Sequence, residues 1–420
     1  MLTINEIKNL LQTRKLSTVE LVKDILVKLE NNPFGAILSI NQEASLSQAK
    51  KAQKLIDSGD KRILTGIPIM HKDVLVTKDW NTTAGSKILS NYKSPFDAEV
   101  VYRLSENGMI CLGKTSCDEF AMGSANQNCA FGKCFNPWDQ RAIPGGSSGG
   151  SAAVVSAGLV PASTGTDTGG SIRQPAAMCG VTGIKPTYGR VSRWGLIAYA
   201  SSLDQAGPIA RSAFDCAILL DAMAGFDKKD STSLCVPNES FSKNLDIPFE
   251  SGNISKPLTG IHIGVPDEYF SDALDNDVAI SVKNGIKSFE GMGAKIKKIS
   301  LPTTKYAVAA YYVIAPAEAS SNLSRFDGVR FGHRSIDSKS LNELYINSRT
   351  EGFGEEVRRR ILVGTFVLSH GYYDAYYIQA LKVRRLVTMD FEEAFKSCDL
   401  IIGPTSPTVA WDHHKSPDIK

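Results

Sequence analysis

Residues 144–177 read PGGSSGGSAAVVSAGLVPASTGTDTGGSIRQPAA and contain two Gly-Gly-Ser turns, which end at Ser147 and Ser171. Glycine allows a sharp backbone turn and lets bare N–H groups approach a substrate closely. Between the turns, the small residues of 150–158 predict a tightly packed buried helix, and residues 162–166 predict a strand. We therefore expect Ser171 at a strand-to-helix turn, with its hydroxyl presented for nucleophilic chemistry.

The turn at Ser171 also predicts an oxyanion hole. The backbone N–H groups expected to converge near the serine hydroxyl are those of Thr168, Gly169, Gly170 and Ser171. Preorganised donors in this arrangement stabilise the negatively charged oxygen of a tetrahedral intermediate. Because a serine hydroxyl is a weak nucleophile, such a site also needs a base.

Lysine is a better candidate base than histidine in this sequence. The six histidines are scattered, and none has the context of a Ser-His-Asp triad. Lys72 follows the apolar run 67–70 and would project from the end of a strand. To accept a proton, its pKa would have to fall well below about 10.4, and burial can produce such a shift.

The Gly-Ser cluster alone is compatible with two other interpretations. It could be a flexible turn, or it could cradle a phosphate. A phosphate-binding P-loop ends in Gly-Lys-Ser/Thr, whereas this chain has GGSA at 149–152. A single Lys-Asp pair such as Lys72 and Asp73 is usually solvated on a surface. The combination of both turns with an upstream lysine favours a catalytic site.

The rest of the chain predicts an α/β protein. From residue 63 onward, short apolar strands alternate with helical segments, which favours one sheet with helices on both faces. Capping-box patterns begin at Thr3 and Ser17, and another helix is expected over 42–57. We expect a single domain whose parts are a helical segment (1–60), a catalytic core (61–230), a polar loop (230–258) and a remaining core with substrate-side helices (259–420).

Composition indicates a globular protein and argues against several other classes. The chain is 42% hydrophobic and 22% charged, with a net charge of +3 and no long basic block, so no nucleic-acid footprint is evident. It has neither a signal-peptide core at its N-terminus nor a run of about 18 apolar residues, so we expect a cytoplasmic protein without membrane contact. The eight cysteines form no CxxC pair, which favours reduced thiols and no metal.

The combined motifs resemble those of the amidase signature family. The matching segments are GIPIMHKD at 66–73, GGSSGG at 145–150 and GGSIRQP at 169–175. The resemblance implies an α/β fold with one large mixed central sheet covered by helices on both faces. It also implies that Ser171 is the acylated nucleophile, that Ser147 is a bridging serine after a cis peptide bond, and that Lys72 is the base. We expect Asp167 and Arg173 to brace the nucleophile loop as an ion pair.

Flanking segments are similar to one branch of this family, the glutaminase subunits of tRNA-dependent amidotransferases. The segments are DEFAMG at 118–123, KPTYGRVSR at 185–193, EASSNLSRFDG at 318–328 and GYYDAYY at 371–377. The resemblance implies that ammonia from glutamine passes to a B subunit, which uses ATP and Mg to amidate the mischarged tRNA, and that a C subunit clamps the two. The tRNA would be contacted mainly through the B subunit, and this chain would hold no cofactor.

Glutamine as the substrate requires a cation for its α-carboxylate. Arg360 matches the carboxylate-binding arginine of the family, and a guanidinium fork suits a carboxylate. The other substrate contacts that the resemblance implies are Thr168, Tyr311 and Met122. The family continues for several tens of residues beyond Lys420, where it supplies an acidic group for the α-amine and strands of the core. A chain that ended at Lys420 would therefore be expected to have weak glutaminase activity.

Two alternatives remain at this stage. One is a free-standing amidase that acts on another small amide. The other is a weakly active subunit that mainly holds an assembly together. The intact Lys72, Ser147 and Ser171 argue against the second alternative, and the family's longer C-terminal end argues for it.

Overall fold

A computed structural model of the chain describes residues 2–245 and 256–415, which divide into two units. The first unit contains Met1–Ser242 and Asn322–Arg360, and the second contains Lys243–Ser321 and Ile361–Lys420. The predicted polar loop over 230–258 lies partly outside the described residues, at 246–255. The organisation as a single domain stays a prediction.

The first unit is built on a six-stranded mixed sheet with the order β1-β3-β2-β4-β6-β5. Its strands are β1 (Ile37–Ile40), β2 (Pro68–Lys72), β3 (Ile110–Thr115), β4 (Ala162–Asp167), β5 (Thr182–Gly183) and β6 (Gln205–Ala210). Strand β2 runs parallel to both β3 and β4, whereas the β1–β3, β4–β6 and β5–β6 pairs are antiparallel. The carboxyl ends of three adjacent parallel strands therefore meet at one edge, where α/β proteins bind their ligands.

Helices cover both faces of this sheet. The α-helices of both units, within the residues that the structure describes, are α1 (Ile4–Gln12), α2 (Thr18–Glu30), α3 (Gln42–Asp57), α4 (Glu99–Glu106), α5 (Gly149–Ser156), α6 (Arg173–Cys179), α7 (Ala213–Met223), α8 (Asn276–Gly291), α9 (Ala307–Asn322), α10 (Leu341–Gly352), α11 (Glu355–Val367) and α12 (Gln379–Ala394). Successive strand residues point to opposite faces, so Ile69 joins the core under α1, α4 and α7, and Met70 joins the core under α2, α3 and α5. The predicted fold class is confirmed.

Local sequence signals explain where the first helices begin. Thr3 and Ser17 each accept a hydrogen bond from the N–H three residues later, and the glutamate at that position bonds back, which completes both predicted capping boxes. Helix α3 covers the range predicted for it. Strand β1 was not predicted, because its four half-buried residues lie between helices and pair with a strand far along the chain.

The second unit contains a smaller, three-stranded parallel sheet with the order β8-β7-β9. Its strands are β7 (His262–Pro266), β8 (Lys295–Ile299) and β9 (Leu400–Ile401). A π-helical segment over Tyr373–Ile378 leads directly into α12. Within residues 2–245 and 256–415, none of the helices combines the length and the apolar character that crossing a membrane requires.

Candidate active site

Lys72 is the last residue of β2, at the edge where the parallel strands end. Its side chain has no solvent exposure. The ammonium nitrogen donates to Ser147 Oγ at 2.7 Å and to Thr166 Oγ1 at 2.8 Å. Burial lowers the pKa of Lys72 from its ordinary value to about 8, so that a usable fraction of the amine is neutral near neutral pH. The structure thus places the predicted base directly against the predicted bridging serine.

A cis peptide bond joins Gly146 to Ser147, at the position that the resemblance implied. A side chain at Gly146 would not fit here, because its Cβ would lie 2.3 Å from Asp118 Oδ2. Asp118 is fully buried and accepts the backbone N–H groups of Asn126, Gln127 and Asn128. These hydrogen bonds of the Asp118 carboxylate hold the loop 118–128 in one conformation beside the Gly146–Ser147 peptide bond.

Ser171 lies in the turn between β4 and α6 and is 8% exposed. Its carbonyl accepts the N–H of Ser148 at 3.1 Å, which joins the two Gly-Gly-Ser turns to each other. Among the described residues, no group is hydrogen-bonded to Ser171 Oγ. The hydroxyl is therefore available to a substrate. Catalytic hydrogen bonds are often completed only when a substrate is bound.

Asp167 organises the Ser171 turn (residues 168–171) from the end of β4. It accepts the N–H groups of Gly170, Ile172 and Arg173, and the Arg173 guanidinium is paired with it at 2.9 Å and 3.0 Å. Burial raises the pKa of Asp167, but the hydrogen bonds and charge of Arg173, together with the backbone N–H groups of Ile172 and Gly170, outweigh burial and leave the pKa below its usual value. The structure thus brings this expected pair together.

The turn differs from the sequence expectation at Gly170. Its N–H points to Asp167 Oδ1 at 2.8 Å, so this donor is already used within the loop. Gly170 has φ +126°, a backbone conformation that only glycine adopts readily, and this conformation turns the N–H inward. In the described part of the chain, the N–H groups of Thr168, Gly169 and Ser171 have no acceptor, so these three remain candidate oxyanion donors.

Thr168 is bound to a carboxylate that the sequence did not indicate. Its hydroxyl donates to Asp204 Oδ1 at 2.6 Å. Asp204 is buried just before β6, and burial raises its pKa to about 6 against the lowering effect of the Thr168 hydrogen bond. Thr168 therefore belongs both to the Ser171 turn and to a buried polar network.

Arg360 lies in α11 and is 9% exposed. Its Nη1 donates to Tyr199 Oη and its Nε donates to Glu356 Oε1, both at 2.6 Å. The guanidinium also lies over the Tyr199 ring, 5.6 Å from its centroid. Two partners and a ring face hold the planar group in one orientation, which is what bidentate recognition of a carboxylate needs.

The two remaining predicted substrate contacts lie in different units. Met122 is fully buried in the first unit, at the end of the short helix Glu119–Ala121, and its carbonyl accepts from Asn128. Tyr311 lies on α9 in the second unit, where its ring contacts that of Tyr312 edge-on at 5.3 Å. The roles of both residues stay predictions.

Sequence reasoning missed Thr166, Asp118, Asp204 and Tyr199. Thr166 stands next to Asp167, and Asp118 begins the quoted segment 118–123, but nothing in the sequence says which way the two side chains point. Asp204 and Tyr199 act through contacts with residues far along the chain, so local patterns carry no signal for them. All eight cysteines are free thiols, and no cluster of His, Cys, Asp or Glu suited to a metal occurs within residues 2–245 and 256–415.

Comparison with known proteins finds one family along most of the chain. The family model described as Amidase matches residues 20–419. A curated relative, the A subunit of glutamyl-tRNA(Gln) amidotransferase from Paraburkholderia xenovorans (strain LB400), is 58% identical over 411 residues, which cover 98% of this chain and 83% of that protein. The chain is thus similar to this relative over nearly all of its own length.

Solved structures show the same similarity. The A subunit of glutamyl-tRNA(Gln) amidotransferase from Thermotoga maritima is 39% identical, with a TM-score of 0.77 over 99% of this chain and 82% of that one. The native peptide amidase from Stenotrophomonas maltophilia is 27% identical, with a TM-score of 0.81 over 98% of this chain and 85% of that one. The fold is therefore shared by a protein named as an amidotransferase subunit and by one named as a peptide amidase.

Proposed function

The chain belongs to the amidase family, and from that premise we propose that it is the glutaminase subunit of a tRNA-dependent amidotransferase. The observation that carries the proposal is its 58% identity, over 98% of its length, to a protein named as the A subunit of glutamyl-tRNA(Gln) amidotransferase. The buried contact of Lys72 with Ser147 supports the amide-hydrolysing chemistry that this assignment requires.

In the proposed reaction, Ser171 Oγ attacks the side-chain carbonyl carbon of glutamine. The serine proton passes through Ser147 to neutral Lys72, and the negative oxygen of the intermediate faces the N–H groups of Thr168, Gly169 and Ser171. Collapse of the intermediate breaks the C–N bond, and the proton returns from Lys72 to the leaving ammonia. A water molecule then gives its proton to Lys72, attacks the glutamyl ester and releases glutamate, and Ser171 regains a proton.

Arg360 would bind the α-carboxylate of glutamine, with Thr168, Tyr311 and Met122 as further contacts. The fixed guanidinium of Arg360 supports this assignment, because a preorganised fork loses little freedom when a carboxylate binds. The contact of Arg360 with the α-carboxylate, together with the other contacts, would orient the side-chain carbonyl of glutamine toward Ser171.

The ammonia would be used by partner subunits. We expect a B subunit that binds ATP and Mg and converts Glu-tRNA(Gln) to Gln-tRNA(Gln), and a small C subunit that clamps the two. The tRNA would be contacted mainly through the B subunit, and the chain itself would hold no cofactor. Such an assembly acts on aminoacyl-tRNA, so we place it in the cytoplasm.

The assignment is tested by glutamine hydrolysis and by labelling with a glutamine analogue that carries an electrophilic side-chain carbonyl. We expect labelling of Ser171 in the wild type, and loss of hydrolysis by about 10⁴-fold or more in Ser171→Ala. Ser45→Ala is the matched control, since Ser45 is a buried serine in α3 that bonds to Cys111 O away from the site. Robust labelling of Ser171→Ala would contradict the assignment of the nucleophile.

A free-standing amidase is the second candidate, favoured by the similarity to the peptide amidase structure. The two candidates differ in substrate preference and in partners. The proposed function predicts faster hydrolysis of glutamine than of aliphatic or aryl amides, and copurification of B and C subunits. A preference for simple amides, without copurifying partners, would favour the alternative.

A further inference from the structure

Asp204 is a buried carboxylate that joins two parts of the candidate site. It is 2% exposed and lies immediately before β6, the strand that pairs with β4. It accepts the Thr168 hydroxyl at 2.6 Å, and it accepts the N–H groups of Tyr199 and Ala200 at 2.8 Å and 3.0 Å. Burying such a group costs free energy unless several donors compensate it, and here three donors do so.

One side of this network is the Ser171 turn. Thr168 lies three residues before Ser171, and the Asp167 carboxylate holds the residues that follow it. A bond from Thr168 to Asp204 therefore fixes the first residue of the turn to the start of the neighbouring strand. The position of the Ser171 hydroxyl depends on where this turn is anchored.

The other side is the pair formed by Tyr199 and Arg360. The backbone N–H of Tyr199 is bound to Asp204, and the Tyr199 hydroxyl accepts from Arg360 Nη1 at 2.6 Å. Tyr199 is among the largest fully buried side chains of the chain, so its ring cannot shift without disturbing the core. Asp204 thus sets the position of the residue against which the Arg360 guanidinium rests.

We propose that Asp204 is a positioning residue that holds the Ser171 turn and the Tyr199–Arg360 pair at a fixed separation. A substrate with a carboxylate at one end and an amide at the other requires that separation to match its own length. The inference rests on the proposed function, because it assigns Arg360 to the α-carboxylate of glutamine. It predicts that Asp204 matters more for glutamine than for an amide without a carboxylate.

The test compares Asp204→Asn with wild type on glutamine and on butyramide, which has no α-carboxylate. Asn keeps the shape of the side chain but lacks the negative charge of the carboxylate that accepts the three hydrogen bonds. Hydrogen bonds to charged groups are strong enough that weakening them changes rates by about 10- to 100-fold. We expect kcat/KM for glutamine to fall by about that factor. We expect the loss for butyramide to be smaller by about five-fold or more.

Asp227→Asn is the matched control. Asp227 is also buried, and it accepts one hydroxyl, from Ser192, and one backbone N–H, from Lys229, away from the Ser171 turn. We expect it to change thermal stability without changing the ratio of the two kcat/KM values. Equal losses on both substrates in Asp204→Asn would overturn the inference and leave Asp204 with a merely structural role.

A second pair of variants keeps the inference testable if Asp204→Asn does not fold. Thr168→Val and Tyr199→Phe each remove one hydroxyl from the network while Asp204 stays in place. If Asp204 couples the two sides, the loss of kcat/KM for glutamine in the double variant Thr168→Val/Tyr199→Phe should be smaller than the product of the two single losses. We expect the two values to differ by about three-fold or more. Independent losses would contradict the coupling. Failure of wild type to hydrolyse glutamine would instead contradict the proposed function.

Discussion

Two buried lysines at the ends of neighbouring strands have contrasting surroundings. Lys72 ends β2, and Lys114 lies one residue from the end of β3, paired in register with His71. Neither side chain has any solvent exposure. Lys72 is bound by hydroxyl groups of Ser147 and Thr166, whereas Lys114 lies 3.3 Å from the Asp73 carboxylate and also donates to Leu75 O and Thr82 Oγ1.

The difference supports the proposal that Lys72 is a catalytic base and that Lys114 has a structural role. Burial lowers the pKa of both lysines, and acidic groups oppose the shift at each. At Lys114 the opposing group is Asp73, in direct ion-pair contact. At Lys72 the opposing groups, Cys117 first and Asp118 next, form no ion pair with it in the described part of the chain. Hydroxyl groups stabilise the ammonium less than a carboxylate does, so Lys72 can lose its proton and act as a base. The two lysines are equally buried, so the difference between them comes from the groups that contact the ammonium: hydroxyls at Lys72 and a carboxylate at Lys114.

The largest effect is expected from replacing Lys72. Lys72→Met removes the base and keeps the length of the side chain, so kcat/KM for glutamine should fall by about 10²- to 10⁴-fold. The fold should be retained, because no carboxylate in the described part of the chain depends on Lys72 as its ion-pair partner. A steady-state glutaminase assay with a parallel thermal melt measures both quantities. If Lys72→Met kept its activity within about three-fold of wild type, Lys72 would not be the base, and the contrast with Lys114 would be lost.

Replacing Lys114 should instead affect stability. Lys114→Met leaves Asp73 buried without its ion-pair partner, which costs about 3–5 kcal/mol in the free energy of unfolding. Chemical denaturation measures this cost. The double variant with Asp73→Asn serves as the control, because removing the stranded charge should restore part of the loss. An unchanged free energy of unfolding in Lys114→Met would show that the pair has no structural role.

The smallest effect is expected from the hydroxyl partner of Lys72. Since only neutral Lys72 acts as a base, kcat/KM should rise with pH through an apparent pKa of about 8. Thr166→Val removes an acceptor of the charged form, so the pKa should fall and the profile should move to lower pH by less than about one unit. Thr82→Val beside Lys114 is the matched control and should leave the profile in place. A shift to higher pH in Thr166→Val would contradict the assignment of Lys72.

Much of the fold could be predicted from local sequence. The capping boxes at Thr3 and Ser17, the helix over Gln42–Asp57 and the buried helix Gly149–Ser156 follow from patterns within a few residues. Strand β1 could not be predicted in this way. Its residues Ile37–Ile40 become a strand because β3 supplies the hydrogen bonds, and β3 begins more than sixty residues later. Tertiary pairing of this kind leaves little local trace.

The sequence by itself determined the candidate reacting groups: two serines after glycine pairs, an upstream lysine and an arginine suited to a carboxylate. Only the tertiary structure decided that Lys72 meets Thr166, that Gly170 turns its N–H inward, and that Asp204 connects Thr168 with Tyr199. The physical reason is that a pKa or a hydrogen bond depends on every group packed around it. Those groups come from strands and turns that are distant in the chain and adjacent only after folding.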